Sequence, residues 1–158
     1  MRVLVISDSH GTYSGIETAI ETHPEASHLI FLGDGTSQME NIQYCYPNIT
    51  CHILAGNCDW SSDYPNMKLI TLSGVKILAC HGHTYDVKYG IDRLLTSAQN
   101  QGAQVALYGH THCAYEAYHD GIYVMNPGSI ALPRDTSRKS YGILDITDTG
   151  IMTSIAKL

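Results

Sequence analysis

Positive charge is scarce in this chain. Nine Lys and Arg stand against fifteen Asp and Glu, a formal net charge of −6, and no basic run occurs anywhere. A protein that grips long nucleic acids needs a cationic face, so that class is set aside. Long apolar runs are missing too. The opening "RVLVIS" (2–7) is too short for the core of a signal peptide, and nothing approaches the ~20 apolar residues of a membrane span. Cysteine occurs five times, at Cys45, Cys51, Cys58, Cys80 and Cys113, never as C-x-x-C. An odd, unpaired set argues against a disulfide framework and a Cys-rich structural zinc site; a reducing cytoplasm is the expected compartment.

What is present is ordinary for a globular protein: 44% hydrophobic and 15% charged residues in a length that suits one domain, 1–158. Short Val/Ile/Leu-rich runs at 2–7, 28–32, 51–55, 75–80 and 104–108 read as buried strands. Helical spacing fills 13–23 and 90–102, the second closed by Gly102. Hairpins are expected over 67–80 around Ser73-Gly74, over 114–126 around Asp120-Gly121, and over 140–158 around Thr149-Gly150. An α/β first part and an antiparallel last part predict two sheets packed face to face with helices outside.

The residues after each strand carry the chemistry. Asp8-Ser9-His10 follows the first, Gly33-Asp34-Gly35 the second and Gly56-Asn57-Cys58-Asp59 the third. His81-Gly82-His83 follows the fourth, and Gly109-His110-Thr111-His112 the fifth. Each motif alone is a common polar turn. Five of them at five strand ends are another matter, because the carboxyl ends of strands in α/β sheets gather on one rim. Carboxylates, imidazoles and an amide oxygen without paired thiolates suit Mn²⁺, Fe²⁺, Ni²⁺, Co²⁺ or Zn²⁺. There are too many donors for one ion. Seven ligands with one shared carboxylate fit two ions about 3.5–4 Å apart, an arrangement suited to phosphate-ester hydrolysis.

D-x-H, G-D, G-N-x-D, G-H and G-H-x-H in this order resemble the calcineurin-like metallophosphoesterase superfamily. The length and "GNCD" are similar to its small prokaryotic phosphodiesterase group (YfcE-like), as are the later "NPGS" (126–129) and "PR" (133–134). The resemblance implies a four-layer αββα fold: a two-sheet β-sandwich flanked by helices. It implies a first metal on Asp8, His10 and His112, a bridging Asp34, and a second metal on Asn57, His81 and His110, with Mn²⁺ ranked ahead of Ni²⁺, Co²⁺, Fe²⁺ and Zn²⁺. The implied reaction is hydrolysis of a small phosphodiester by a hydroxide bridging the two ions. Chemistry is assigned to Asn57, Cys58, Asp59 and His81, and substrate contact to Ser9, Asn57, His83 and Arg134.

Many superfamily members carry histidine where Cys58 stands. The thiol reads as a substitute that gives up the histidine's proton, against the alternatives of a packing residue and a redox sensor. Asp59 is assigned either to orienting an imidazole or to capping a turn. His83 is a replacement acid or a structural histidine, Arg134 a phosphate contact or plain surface. Ser9 and Gly11 are small enough to let a phosphate approach. The runner-up function is a non-catalytic metal-binding scaffold, as in retromer-subunit relatives, although those look degraded at ligand positions whereas all seven here are competent. Eleven tyrosines would line a substrate cleft or a homo-oligomer interface. No membrane partner is expected.

Overall fold

The alternation of apolar residues decides the layering. In β1 (Arg2–Ile6), Val3 and Val5 point to one face and Leu4 and Ile6 to the other, and all four are fully buried. A strand buried on both faces must be covered on both. The computed structural model, which describes residues 1–135 and 138–158, shows how. The remaining strands are β2 (Ala26–Phe31), β3 (Thr50–Ile53), β4 (Met67–Leu72), β5 (Val75–Cys80), β6 (Val105–Leu107), β7 (Ala114–His119), β8 (Ile122–Pro127), β9 (Ser140–Thr147) and β10 (Gly150–Lys157). They form two five-stranded sheets, ordered β10-β9-β1-β2-β3 and β4-β5-β6-β8-β7.

In the first sheet β1, β2 and β3 run parallel out to the β3 edge, with β9 and β10 antiparallel on the other side; in the second, parallel β5-β6-β8 is edged by antiparallel β4 and β7. Val3, Val5, Ile30 and Leu32 from the first sheet meet Ile77, Ala79, Val105 and Leu107 from the second in the shared core. On the outer face of the first sheet, Leu4, Leu29 and Phe31 pack against helices α1 (Ser14–Thr22) and α2 (Met39–Cys45) through Ile16, Ala19, Ile20, Met39 and Ile42. On the outer face of the second, Leu78, Ala106 and Val124 cover Leu94 and Ala98 of α3 (Asp92–Asn100). Helix, sheet, sheet, helix is the four-layer order expected.

Differences from the sequence reading are local. Helix α2 was not anticipated: seven residues, entered through a 3-10 turn at Thr36–Gln38, are too short to show a period. The hairpins at Ser73-Gly74 (φ 47° and 80°) and Asp120-Gly121 (φ 48° and 91°) are two-residue turns with both centres left-handed, as their residues suggest. The last hairpin turns one residue earlier than expected. Gly150 pairs with Thr147, so Asp148 and Thr149 form the loop. Among the described residues, no helix is long and apolar enough to cross a membrane.

Candidate metal centre

All five motif loops meet at one rim, and they come from both sheets. β1, β2 and β3 of the first sheet lead into Asp8-His10, Asp34 and Asn57; β5 and β6 of the second lead into His81 and His110-His112. The backbone is unusual there. Asp8 (φ 56°), His10 (42°), Asp34 (59°), His110 (69°) and His112 (60°) are left-handed, and only three other described non-glycine residues are. L-residues adopt that region at a cost, and such strain concentrates where side chains must be aimed.

Small neighbours make the aim feasible. A Cβ at Gly109 would lie 2.9 Å from Asp8 Oδ2 and still closer to the Ser7 hydroxyl. One at Gly56 would lie 2.6 Å from the Asp34 amide and overlap its carboxylate. The two aspartates are almost fully enclosed, at 0% and 3% exposure. Asp8 Oδ2 accepts from Ser7 Oγ at 2.6 Å and from the His110 amide at 3.1 Å. Asp34 Oδ1 accepts from the Cys58 amide at 2.8 Å.

Two histidines have their tautomers fixed from behind. His81 Nδ1 donates to Leu32 O at 2.8 Å, and His112 Nδ1 donates to Leu132 O at 2.7 Å. In the neutral rings this leaves each Nε2 as a bare lone pair facing the rim, the usual preparation of a metal-ligating imidazole. His81 Nε2 lies 3.2 Å from Asn57 Oδ1 and 3.5 Å from Asp34 Oδ2. His112 Nε2 lies 3.1 Å from His10 Nε2 and 3.2 Å from Asp8 Oδ1. Even so, Asp8 Oδ1 is buried without a hydrogen-bond partner. A bare imidazole nitrogen, a second ring nitrogen and an orphaned carboxylate oxygen crowd together only if a proton or a cation lies between them. The donors fit a divalent ion.

Three sets of ligand atoms close within 4.8 Å: Asp8, His10 and His112; Asp8, Asp34 and His81; and His10, Asp34 and Cys58. His110 stands further out, its ring centroid 5.1 Å from that of His81. The charges around the rim are strongly coupled. Burial alone would push Asp34 up, but the hydrogen bond and charge of His81 hold it well below the usual carboxylate range. The same carboxylates, Asp34 and Asp8, raise His81 against the effect of its burial. His112 is raised chiefly by its contact with Asp8. Burial and the His81 charge push His110 down to about 4, which keeps it a neutral donor.

The other expected site residues divide. Cys58 is exposed and faces the rim, its Sγ accepting from Asn57 Nδ2 at 3.4 Å; burial and then Asp34 push the thiol up to about 11. His83 is half-buried beside His81 and His110, its Nδ1 enclosed and without a partner. Arg134 is exposed and close enough to His112 to lower it by charge, while its amide donates to His112 O at 3.1 Å. Ser9 does not face the site. It is fully buried, and its hydroxyl donates to Gln38 Oε1 at 3.2 Å. Asp59 acts on backbone and holds no imidazole: its two oxygens accept from the amides of Asp34 (2.7 Å), Gly35 (2.9 Å), Thr36 (2.9 Å) and Gly56 (2.8 Å). It ties the loop after β2 to the loop after β3.

Two supporting residues escaped the sequence reading, although both lie in "NPGS". Asn126 Nδ2 donates to Gly109 O (3.0 Å) and Thr111 Oγ1 (2.9 Å), bracing the G-H-x-H loop. Ser129 Oγ donates to Asp8 O (2.8 Å) and accepts from the Leu132 amide (2.7 Å), so it sets the turn whose carbonyl orients His112.

Carboxylates and imidazoles converging from two stacked sheets onto one strained rim define the class: an α/β sandwich built around a polar metal centre. The chain belongs to the calcineurin-like phosphoesterase superfamily, whose domain profile matches residues 1–149. It is 35% identical over 147 residues to a probable metallophosphoesterase, YsnB, of Bacillus subtilis, covering 92% of this chain and 85% of that one. It is 26% identical over 168 residues to the phosphodiesterase YfcE of Escherichia coli, covering 92% and 88%. A Streptococcus pneumoniae protein described as a predicted phosphoesterase superposes with a TM-score of 0.84 at 27% identity, over 99% and 88% of the two chains. The fold alone is shared with zinc-complexed Vps29 of Entamoeba histolytica, at a TM-score of 0.76, 19% identity and 99% and 98% coverage. By family, then, the chain is a phosphoesterase.

Proposed function

We propose that this chain hydrolyses a small phosphodiester at a pair of divalent transition-metal ions, with Mn²⁺ the first choice and Ni²⁺, Co²⁺, Fe²⁺ or Zn²⁺ acceptable to the same donors. The observation that carries the reading is the orphaned, buried Asp8 Oδ1 facing the bare Nε2 of His112. Asp8, His10 and His112 would hold one ion, and Asn57, His81 and His110 the other. Asp34 would be shared: its Oδ2 stands 3.9 Å from His10 Nε2 and 3.5 Å from His81 Nε2.

Two such ions acidify a water and screen the oxygens of an in-line displacement at phosphorus. The chain's own residues aim and hold. Leu32 O and Leu132 O keep the two imidazoles turned inward, and Asp59 fixes the backbone on which Asp34 and Asn57 ride. Cys58 brings a thiol to the rim, its Sγ accepting from Asn57 Nδ2 and lying within 4.8 Å of the ligand atoms of His10 and Asp34. A weak acid there gives a departing alkoxide little help, so good leaving groups are favoured. The acidic balance of the chain disfavours a dianionic monoester beside the rim, and the YfcE relative's designation as a phosphodiesterase supports the same choice.

The test is hydrolysis of bis-p-nitrophenyl phosphate against p-nitrophenyl phosphate by metal-stripped protein given each ion in turn. Metal-dependent cleavage of the diester, lost in Asp34→Asn and His81→Ala, is expected. Two tightly bound ions without turnover of either ester would replace the enzyme with the scaffold.

A further inference from the structure

Beside the rim, and sharing Cys58 with it, lies a cleft of about 640 Å³ between the 3-10 turn before α2 and the loop after β3. One wall is Trp60, 93% open to solvent and the single tryptophan of the chain. Trp60 stands in a turn closed by the Ser62 amide on Asp59 O, and Asp59 is anchored to four backbone amides. The indole is therefore carried on a fixed turn, although its ring face is uncovered. The same cleft is lined by hydroxyls, Ser37 among them, and by the carboxylates of Glu40 and Asp63.

An indole standing at a cleft that shares a wall with the rim offers a broad flat face to the part of a substrate that projects from the centre. That part has to suit its neighbours. Two free carboxylates reject an anion, hydroxyls accept polar edges, and an indole face prefers a flat ring or a cation. The distance to the reacting centre is short, because Cys58 Sγ falls within 4.8 Å of the ligand atoms of His10 and Asp34.

We infer that this cleft is the subsite for one organic arm of the diester, and that the arm is a planar, uncharged or cationic ring seated on Trp60. The inference rests on the phosphodiesterase reading and narrows its substrate class: a flat, hydroxyl-compatible arm without a second phosphate. Trp60 is then a specificity residue, with Glu40 and Asp63 excluding acidic arms.

Two readouts separate this subsite from the reaction itself. The first needs no turnover. Diphenyl phosphate and dimethyl phosphate are titrated into Mn²⁺-loaded protein while the lone indole's emission is followed. Saturable quenching by the diphenyl ester alone is expected. The second compares p-nitrophenyl phenyl phosphate with p-nitrophenyl methyl phosphate, which share a leaving group and differ in the retained arm. Trp60→Ala should lower the phenyl-over-methyl ratio of kcat/KM by about tenfold, in line with the loss of one aromatic stack, and Trp60→Phe should keep most of it. An unchanged ratio in Trp60→Ala, with no emission change on diphenyl phosphate, overturns the subsite. Quenching without turnover of any ester would keep the subsite and sink the phosphodiesterase.

Discussion

Asp59 and Cys58 are sequence neighbours with opposite duties. The carboxylate faces inward and organises backbone, and the thiol faces the rim and meets whatever binds there. Cys58→His restores a proton donor at the rim. Its gain should grow as the leaving group worsens: near nothing for p-nitrophenolate, rising toward about 10²-fold for an alkoxide. A plot of log kcat against leaving-group pKa checks this, and a uniform shift across the series would refute it. The residue types of the site were legible in sequence because metal chemistry restricts them so severely. What each residue touches was not. Ser9 reads as a phosphate neighbour in "DSH" but turns under the loop to Gln38. Whether a carboxylate orients an imidazole or caps amides depends on which loop lies opposite, and sequence spacing does not carry that.

Among the elements, the "NPGS" turn leading out of β8 reaches furthest from its own position. Ser129 grips Asp8 O on one sheet and sets Leu132 behind His112 on the other. Ser129→Ala should weaken metal binding by about tenfold, the ordinary effect of removing support behind a ligand. Competition against a chromophoric chelator measures it. Lowered stability with unchanged affinity would show that Ser129 serves packing alone. The strands were read from sequence because double-sided burial leaves them almost no polar positions, and α1 and α3 because Ile16-Ala19-Ile20 and Leu94-Ala98 keep helical spacing. Helix α2 buries only Met39 and Ile42, which is too little pattern to recognise.

For the whole molecule, the division of the donors between sheets governs stability. Asp8, His10, Asp34 and Asn57 belong to loops of one sheet, and His81, His110 and His112 to loops of the other. Ions bound there join the two halves of the sandwich. At a free concentration about a hundred times the dissociation constant they should add ~2.7 kcal/mol. For a chain of this length that raises the melting midpoint by about 5–10 °C over chelator-treated protein. Differential scanning calorimetry with and without Mn²⁺ tests it; an unmoved midpoint would mean that metal binds no more tightly to the folded chain than to the unfolded one.

The core between the sheets is apolar, with Val3, Val5, Ile77 and Ala79 among its members, and the hydrophobic attraction that closes it has no direction of its own. Direction enters at the rim, where His81 Nδ1 reaches Leu32 O and the His110 amide reaches Asp8 Oδ2, each bond crossing from one sheet's loops to the other's. These crossings act as locating pins. The spacing of the proposed metal pair above them would then be a machined tolerance, set by how well two slabs are aligned. A mutation deep in the sandwich that lets the slabs slip by a few tenths of an ångström would misgauge the centre without touching a ligand.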